Sequence, residues 1–578
     1  MQFLKNILST LVALMIFGLV LFILSVAIIS AVTADETVNI KENSILHLKL
    51  NRPIMELEYE DPLAMLGIGN QVQPIGLVQL LQAIRHAETD DNISGIYLET
   101  PFIGAGFSMA GEIRNALEKF KSSGKFIISY SSYYSEGAYY LSSVADELYL
   151  HPLGDMELNG LNATIMFYSG LFEKLGIEAQ VFRVGEYKSA VEPYLRKDMS
   201  DENREQLSEL IAMLNNHIIE EIAQGRDLSA ELVSEVSDSM LIRLPEDAVK
   251  LGFIDSLFYE DEMEMRLAAI NEVEKDELEM VSLEKYSKSF SDYVSAKEEI
   301  AVIVGQGEIA MGGDGAKISA RKMAKEIKKA RENENIKGIV LRINSPGGSP
   351  LASDIIWREV KLAAREKAVV ASFSDYAASG GYYIGMAADT IMVQPGTITG
   401  SIGIYGILFN LGDMMENKLG ITVDQVSTGT YSGIYTMSRS LSESERQIIQ
   451  NDVNNGYRIF VEKAAEGRNM RVEDLEKLAG GRVWSGGQAI ENGLVDLYGG
   501  LFDAIELTAD MAGVETYKTK FYPPKKSFLE ELMGKGEASA EARLASELGQ
   551  SYEVIMQLKN MVRDQGPQAR NPWVLEIQ

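Results

Sequence analysis

AVVASFSDYAASGGYYIGMAAD, residues 368–389, changes its character in the middle. Ala368 to Phe373 is an apolar run with the Val and Phe content of a strand. Tyr382 to Asp389 reads as a helix. Ser379 stands at the junction, followed by Gly380 and Gly381. A serine placed there exposes its hydroxyl beside the free N–H groups of a helix start, as a nucleophile requires. The same placement suits an ordinary helix N-cap.

Outward from this stretch, short β-like runs alternate with helical ones, the mark of α/β units. The alternation also occurs twice. At one constant offset, Gly95-Ile96 falls on Gly338-Ile339 and Leu98 on Leu341. Glu136-Gly137-Ala138-Tyr139-Tyr140 falls on Ser379-Gly380-Gly381-Tyr382-Tyr383, and Ala145-Asp146 on Ala388-Asp389. With one residue inserted, Lys174-Leu175-Gly176-Ile177 falls on Lys418-Leu419-Gly420-Ile421, and Gly185-x-Tyr187 on Gly429-x-Tyr431. The chain is two tandem copies of one α/β domain. The copies differ where chemistry would need them to. Glu136 stands at the Ser379 position, and Ser432 at the Lys188 position.

The predicted organisation has four parts. Residues 1–36 are a cytoplasmic N-terminus and membrane anchor. Residues 37–295 are the first α/β domain with a charged connector over Glu260–Glu299. Residues 296–515 are the second domain. Residues 516–578 are a polar, helical tail, with Phe528–Met561 its helix-like part, for which a solvated amphipathic helix is preferred over a role in assembly. Asn6 to Ala34 lacks charge, and Leu11 to Val32 is almost wholly apolar, long enough for a bilayer. Lys5 before the run and Asp35-Glu36 after it orient the bulk of the chain away from the cytoplasm. A cleaved signal peptide is the alternative, but its apolar region would be shorter.

Composition removes several classes of function. A net charge of −30 repels phosphate backbones, so nucleic acid is not an expected partner. There is no cysteine, hence no disulfide, thiolate metal site or cysteine nucleophile. The 4 histidines all precede residue 218, so a Ser379 nucleophile has no histidine in its own half. Neither a metal nor a cofactor is expected.

A lysine can replace the histidine if burial keeps it neutral, away from its free pKa of about 10.4. Lys188 lies in RVGEYKSAVEPY, residues 183–194, where Tyr187, Ala190, Val191 and Tyr194 could surround it while Glu186 and Glu192 could oppose neutrality. Gly347 and Gly348, in NSPGGS (344–349) after the strand Gly338–Ile343, offer backbone N–H groups for an oxyanion. Ser401, in TITGSIG (397–403), could orient the amine or be a turn serine. Asp375 and Tyr376 could shape the site or only its turn.

Taken together and in this order, the four motifs resemble those of signal peptide peptidase A, or protease IV, in its long tandem-repeat form. The resemblance covers roughly residues 40–515 and the N-terminal anchor. It implies two tandem ClpP/crotonase-like domains preceded by one transmembrane helix. It implies Ser379 as nucleophile and Lys188 as general base of a serine endopeptidase, with Gly347 or Gly348 holding the oxyanion. It further implies a homotetramer in the bacterial inner membrane, facing the periplasm, that degrades hydrophobic remnant signal peptides. Two alternatives share some of these features: a crotonase-type acyl-CoA enzyme, and a non-catalytic membrane scaffold.

Overall fold

The computed structural model describes residues 38–57, 73–290, 296–312, 317–524 and 566–570, together with Asn6, Thr10 and residues 13–20 of an N-terminal helix. The first copy builds a sheet in the order Ser256–Leu257, Glu147–Met156, Phe126–Tyr134, Ile93–Glu99, Ser44–Lys49, Met280–Ser282, every pair parallel. The second copy repeats that order with Leu497–Tyr498, Thr390–Val393, Ala368–Ala378, Ile336–Ser345, Glu299–Gln306 and Lys518–Tyr522, again parallel. Parallel strands need crossover helices, which cover the sheet faces and bury the strands. Hence runs such as Ile339–Ile343 are buried throughout. The crossover helices also match: Leu77–Thr89 with Ala320–Glu332, and Phe107–Lys121 with Pro350–Ala363.

Two expectations are corrected here. Glu260–Glu299 is no mere connector, because it contributes the helix Glu260–Ile270 and the edge strand Met280–Ser282 of the first sheet. The helical tail does not begin at residue 516, because Lys518–Tyr522 is the matching edge strand of the second sheet. Both are short edge strands, Met-Val-Ser with only Val281 buried in the first and Lys-Thr-Lys-Phe-Tyr in the second. Gly566–Arg570 is a further strand within the predicted helical tail. Phe528–Met561 lies outside the described residues. So does most of the apolar run Leu11–Val32, and among the described residues no helix is long and apolar enough to cross a membrane.

A third sheet joins the copies, in the order Lys317–Ser319, Glu308–Ala310, Gly347–Gly348, Gly566–Arg570, Tyr405–Asn410, Glu178–Arg183. Its last strand comes from the first copy and pairs antiparallel with Tyr405–Asn410 of the second. The copies also share apolar contacts. Leu210 and Leu214 pack with Tyr376, Ile398 and Val483, and Val78 packs with Val302, Val340 and Leu501.

A charged knot lies within this interface. Arg342, fully buried, donates to Glu56 at 2.8 Å and to Glu112 at 2.6 Å, both from the first copy. Its other N–H groups reach Ser372 at 2.9 Å and Ser374 at 3.0 Å. Burial pushes the Glu112 carboxyl up, and Arg342 opposes the shift. Removing one partner of such a cluster leaves charge buried without compensation, at a cost of about 3–5 kcal/mol. Arg342→Met is therefore expected to unfold in denaturant with stability lower by about that amount. Arg342→Lys should recover only part of it, since an ammonium cannot fork to two carboxylates and two hydroxyls. An unchanged unfolding midpoint for Arg342→Met would show the cluster to be dispensable.

Candidate active site

Ala368–Ala378 ends the central strand of the second sheet, and the helix Gly380–Gly385 follows at once. The reversal is tight enough to hold Ser379 at φ 55°, ψ −113°. A non-glycine residue there carries strain of about 1–3 kcal/mol, tolerated where the surroundings fix it. Ser379 N–H donates to the Gly400 carbonyl at 2.8 Å, and the side chain is fully buried. The hydroxyl makes no capping bond to the helix. It lies 3.0 Å from Lys188 Nζ and 3.3 Å from the Gly403 carbonyl oxygen. The N-cap alternative is thereby set aside.

Lys188 arrives from the other copy, within the same chain. The strand Glu178–Arg183 crosses to the second copy, and Gly185 turns the chain at φ 92°. A Cβ at Gly185 would lie 2.2 Å from the Gly480 carbonyl oxygen, so only glycine passes there. Lys188 then precedes a short 3-10 turn, Ser189–Val191. Its stem is walled by two other glycines. A Cβ at Gly481 would come within 2.6 Å of the lysine Cβ, and one at Gly403 within 3.3 Å of its Cδ. The amine is completely buried, and burial alone lowers its pKa to about 7.

Glu192 does not oppose this, because its carboxylate accepts from Ser200 N–H and Asn203 Nδ2. Val191 and Ala190 are buried beside Phe172, Tyr405 and Phe409, with Tyr194 at the margin of the cluster. Tyr187, expected in this lining, faces outward instead, under the Arg482 guanidinium at 4.8 Å.

The amine has three neighbours: Ser379 Oγ at 3.0 Å, Ser401 Oγ at 2.9 Å and the Ser401 carbonyl oxygen at 3.1 Å. A neutral amine has two N–H donors and one lone pair. Ser401 can take both donors, which turns the lone pair toward the Ser379 hydroxyl. Ser401 is itself held at φ 49°, with its N–H on the Arg482 carbonyl at 2.7 Å. Each histidine is engaged elsewhere: His47 with Glu99, His86 on Phe290, His151 beside Tyr259 and His217 beside Tyr140.

Gly347 and Gly348 occupy φ 105° and 156°, a backbone that disfavours a side chain. The Gly347 N–H donates to Ser345 Oγ at 3.2 Å, which commits it. Gly380, the residue after the serine, was not among the sequence candidates. Its amide nitrogen would lie 2.8 Å from a Cβ on Gly347, and the Gly348 nitrogen 3.1 Å from a Cβ on Gly380. The nitrogens of Gly348 and Gly380 thus converge beside Ser379. The pair Ser379-Gly380 at a strand-to-helix turn is the signal that could have disclosed it.

Asp375 and Tyr376 do not reach the amine. The Asp375 carboxylate accepts from Ser108 N–H at 2.9 Å and Met109 N–H at 3.0 Å, at the start of a first-copy helix. Burial pushes its pKa up to about 6, against those backbone bonds. The counterparts of Ser379 and Lys188, Glu136 of the first copy and Ser432 of the second, do not repeat this arrangement. Glu136 is buried and accepts from Asn159 and Gly160 N–H, while Ser432 is exposed in a loop.

Known proteins are similar to this sequence. The profile of peptidase family S49 matches residues 119–274 and 361–515, one segment in each copy. Serine protease SPPA, chloroplastic, of Arabidopsis thaliana is 36% identical over 454 residues, which cover 77% of this chain and 67% of that protein. Protease 4 of Salmonella typhi is 34% identical over 485 residues, 82% of this chain and 78% of that protein. Protease 4 of Haemophilus influenzae is 32% identical over 463 residues, 78% and 75% of the two. The chain belongs to peptidase family S49 and is a serine peptidase built as a tandem repeat.

Proposed function

We propose that the chain is a membrane-anchored endopeptidase working through a Ser379–Lys188 dyad, and that it degrades hydrophobic peptides such as spent signal peptides. The observation that carries this reading is a fully buried lysine amine 3.0 Å from a strained serine hydroxyl. Neutral Lys188 takes the proton of Ser379 as Oγ attacks a peptide carbonyl carbon. The N–H groups of Gly348 and Gly380 face the oxygen as it becomes anionic. Lys188 then passes the proton to the departing amine, and the C–N bond breaks. A water repeats the sequence on the ester and frees Ser379. Ser401 is a positioning residue that aims the lysine lone pair.

The apolar run Leu11–Val32 supports an anchor in the bacterial inner membrane, with the catalytic part on the periplasmic side. ClpP/crotonase-like domains and a homotetramer complete the proposal. Support for assembly comes from the segment after Asn410, which exposes Leu419, Ile421, Val423, Val426, Tyr431 and Tyr435. A monomer rarely leaves so much apolar surface in water, and further copies of the chain would cover it.

Hydrolysis of a fluorogenic apolar peptide by detergent-solubilised protein tests the dyad. Ser379→Ala and Lys188→Ala are each expected to lose on the order of 10⁴-fold or more in kcat, since the pair acts as a unit. Full activity in Lys188→Ala would remove it as the base. The lysine must be neutral to act. As pH falls below about 7 it protonates, and kcat/KM should drop about tenfold per unit. A profile flat from pH 5 to 8 contradicts the assignment. Ser401→Ala should lower kcat by about ten- to a hundredfold with KM little changed, because it disturbs aim rather than binding.

A further inference from the structure

The loop that carries Lys188 is tied to the helix Asp201–Arg226 of the same copy. Gln206, in the second turn of that helix, is only 3% exposed. Its Nε2 donates toward the Tyr187 carbonyl at 3.2 Å and Ser189 Oγ at 3.0 Å, the residues on either side of Lys188. Its Oε1 accepts from the Val483 N–H of the second copy at 3.2 Å. One amide therefore touches both neighbours of the lysine and the other half of the chain. Its orientation is fixed, because the carbonyl must face the NH2 group and the N–H must face the oxygen.

What Gln206 grips in the second copy is the wall of the lysine. Val483–Ser485 is the edge strand of the second sheet, antiparallel to Ile398–Gly400. Val483 is buried, so its N–H needs an acceptor, which no strand beyond it supplies among the described residues. The residues just before Val483 bear on the site. Gly481 lies against the Lys188 stem, and the Arg482 carbonyl accepts the Ser401 N–H at 2.7 Å. Fixing Val483 therefore presses this segment onto the lysine. Gln206 is braced in turn by Asn203, whose Oδ1 lies 3.3 Å from Nε2 and whose Nδ2 donates to Glu192 at 3.0 Å. The charged groups around the amide are engaged with one another. Arg482 meets Glu209 at 2.7 Å and Glu205 at 3.5 Å, and Arg183 lies 4.0 Å from Glu192. Gln206 acts by position and not by charge.

We propose that Gln206 is a positioning residue for Lys188, an amide clasp that holds the lysine loop against the segment Gly480–Val483 and so keeps water from the amine. The proposal rests on the Ser379–Lys188 reading above. Without the clasp the loop and the segment part, and water enters between them. The ammonium form then gains the hydration that burial denies it. The base is lost to protonation at neutral pH, while the groups that face the substrate stay as they were.

The pH dependence of kcat/KM, for hydrolysis of a fluorogenic apolar peptide by the detergent-solubilised full chain, tests this. Gln206→Met keeps the length of the side chain and removes both polar ends. Its acid limb is expected to move up by about one pH unit or more. At pH 6, kcat/KM should then fall about tenfold, with KM little changed, and return toward the wild-type value by pH 9. Gln206→Asn keeps the amide but is one methylene too short to span both ends. It should move the limb in the same direction, and it decides the matter if Gln206→Met does not fold. An acid limb at the wild-type position in the folded variants overturns the proposal. So does a loss of activity equal at every pH from 6 to 9, the mark of a purely structural role. Lys188→Ala measured alongside separates the two readings. If it retains activity, the dyad reading falls and this one with it. If it is inactive while the Gln206 variants keep the wild-type limb, only the clasp falls.

Discussion

Keeping one lysine amine dry is the constraint on which the site depends. In water Lys188 would be almost wholly protonated at neutral pH and useless as a base. Burial without a counter-charge brings its pKa to about 7. That demands close walls, and the walls are backbone: Gly403 and Gly481 lie against the stem, with no side chain to hold it off. It also demands polar partners suited to the neutral form. Two oxygens of one residue, Ser401, supply them at 2.9 and 3.1 Å. A carboxylate in their place would restore the charge.

The division of labour between the copies follows from the same requirement. The first copy's strand Glu178–Arg183 is taken up by the second copy's Tyr405–Asn410, and this pairing carries Lys188 across. Once the pair is split, the copies must hold a fixed relative position to a fraction of an ångström. The buried cluster at their interface serves that end. Arg342 of the second copy grips Glu56 and Glu112 of the first. Asp375, four residues before Ser379, caps the helix that starts at Phe107 in the first copy. Asp375 lies on the strand that leads into Ser379, and Arg342, on the neighbouring strand, reaches that strand through Ser372 and Ser374, so the position of Ser379 is referenced to the first copy. At the matching positions Glu136 is a buried acceptor of backbone N–H groups and Ser432 an exposed loop residue.

The repeat was the most legible feature, because parallel α/β units write themselves as apolar strands at regular spacing. The constant offset places Ile93–Glu99 on Ile336–Ser345 and Phe107–Lys121 on Pro350–Ala363. Ser379, Lys188 and Ser401 were legible as residue types in glycine-framed motifs, and the fold brings the three together. What was not legible depends on tertiary geometry. Met280–Ser282 and Lys518–Tyr522 are short edge strands without a periodic signal. Tyr187 looked like apolar lining, but it packs under Arg482, a residue almost three hundred positions away. Gly347 was a sound candidate by conformation, yet its N–H is drawn to Ser345 Oγ, a local bond no spacing discloses. Arg342 lies inside the apolar strand Gly338–Ile343, and its acidic partners lie in the other copy, out of reach of any local pattern.

The joining sheet is held together at Gly566–Arg570 by backbone pairing on both sides. Neighbouring strands in a sheet lie about 4.8 Å apart, so a gap one strand wide presents two facing rows of N–H and C=O groups. Gly347–Gly348 and Tyr405–Asn410 bound such a gap. An open edge of this kind is a liability unless it is paired or covered. A peptide in extended conformation satisfies both rows whatever its sequence. Discrimination is then left to alternate side chains, as the pleat dictates. Along Gly566–Arg570, Ala569 turns into the core while Gln568 stays half-exposed. The glycines that make room for the Ala569 carbonyl are the same ones that leave no depth for a large group near it. The turn that brings the Gly348 and Gly380 nitrogens together therefore also limits what can lie beside it.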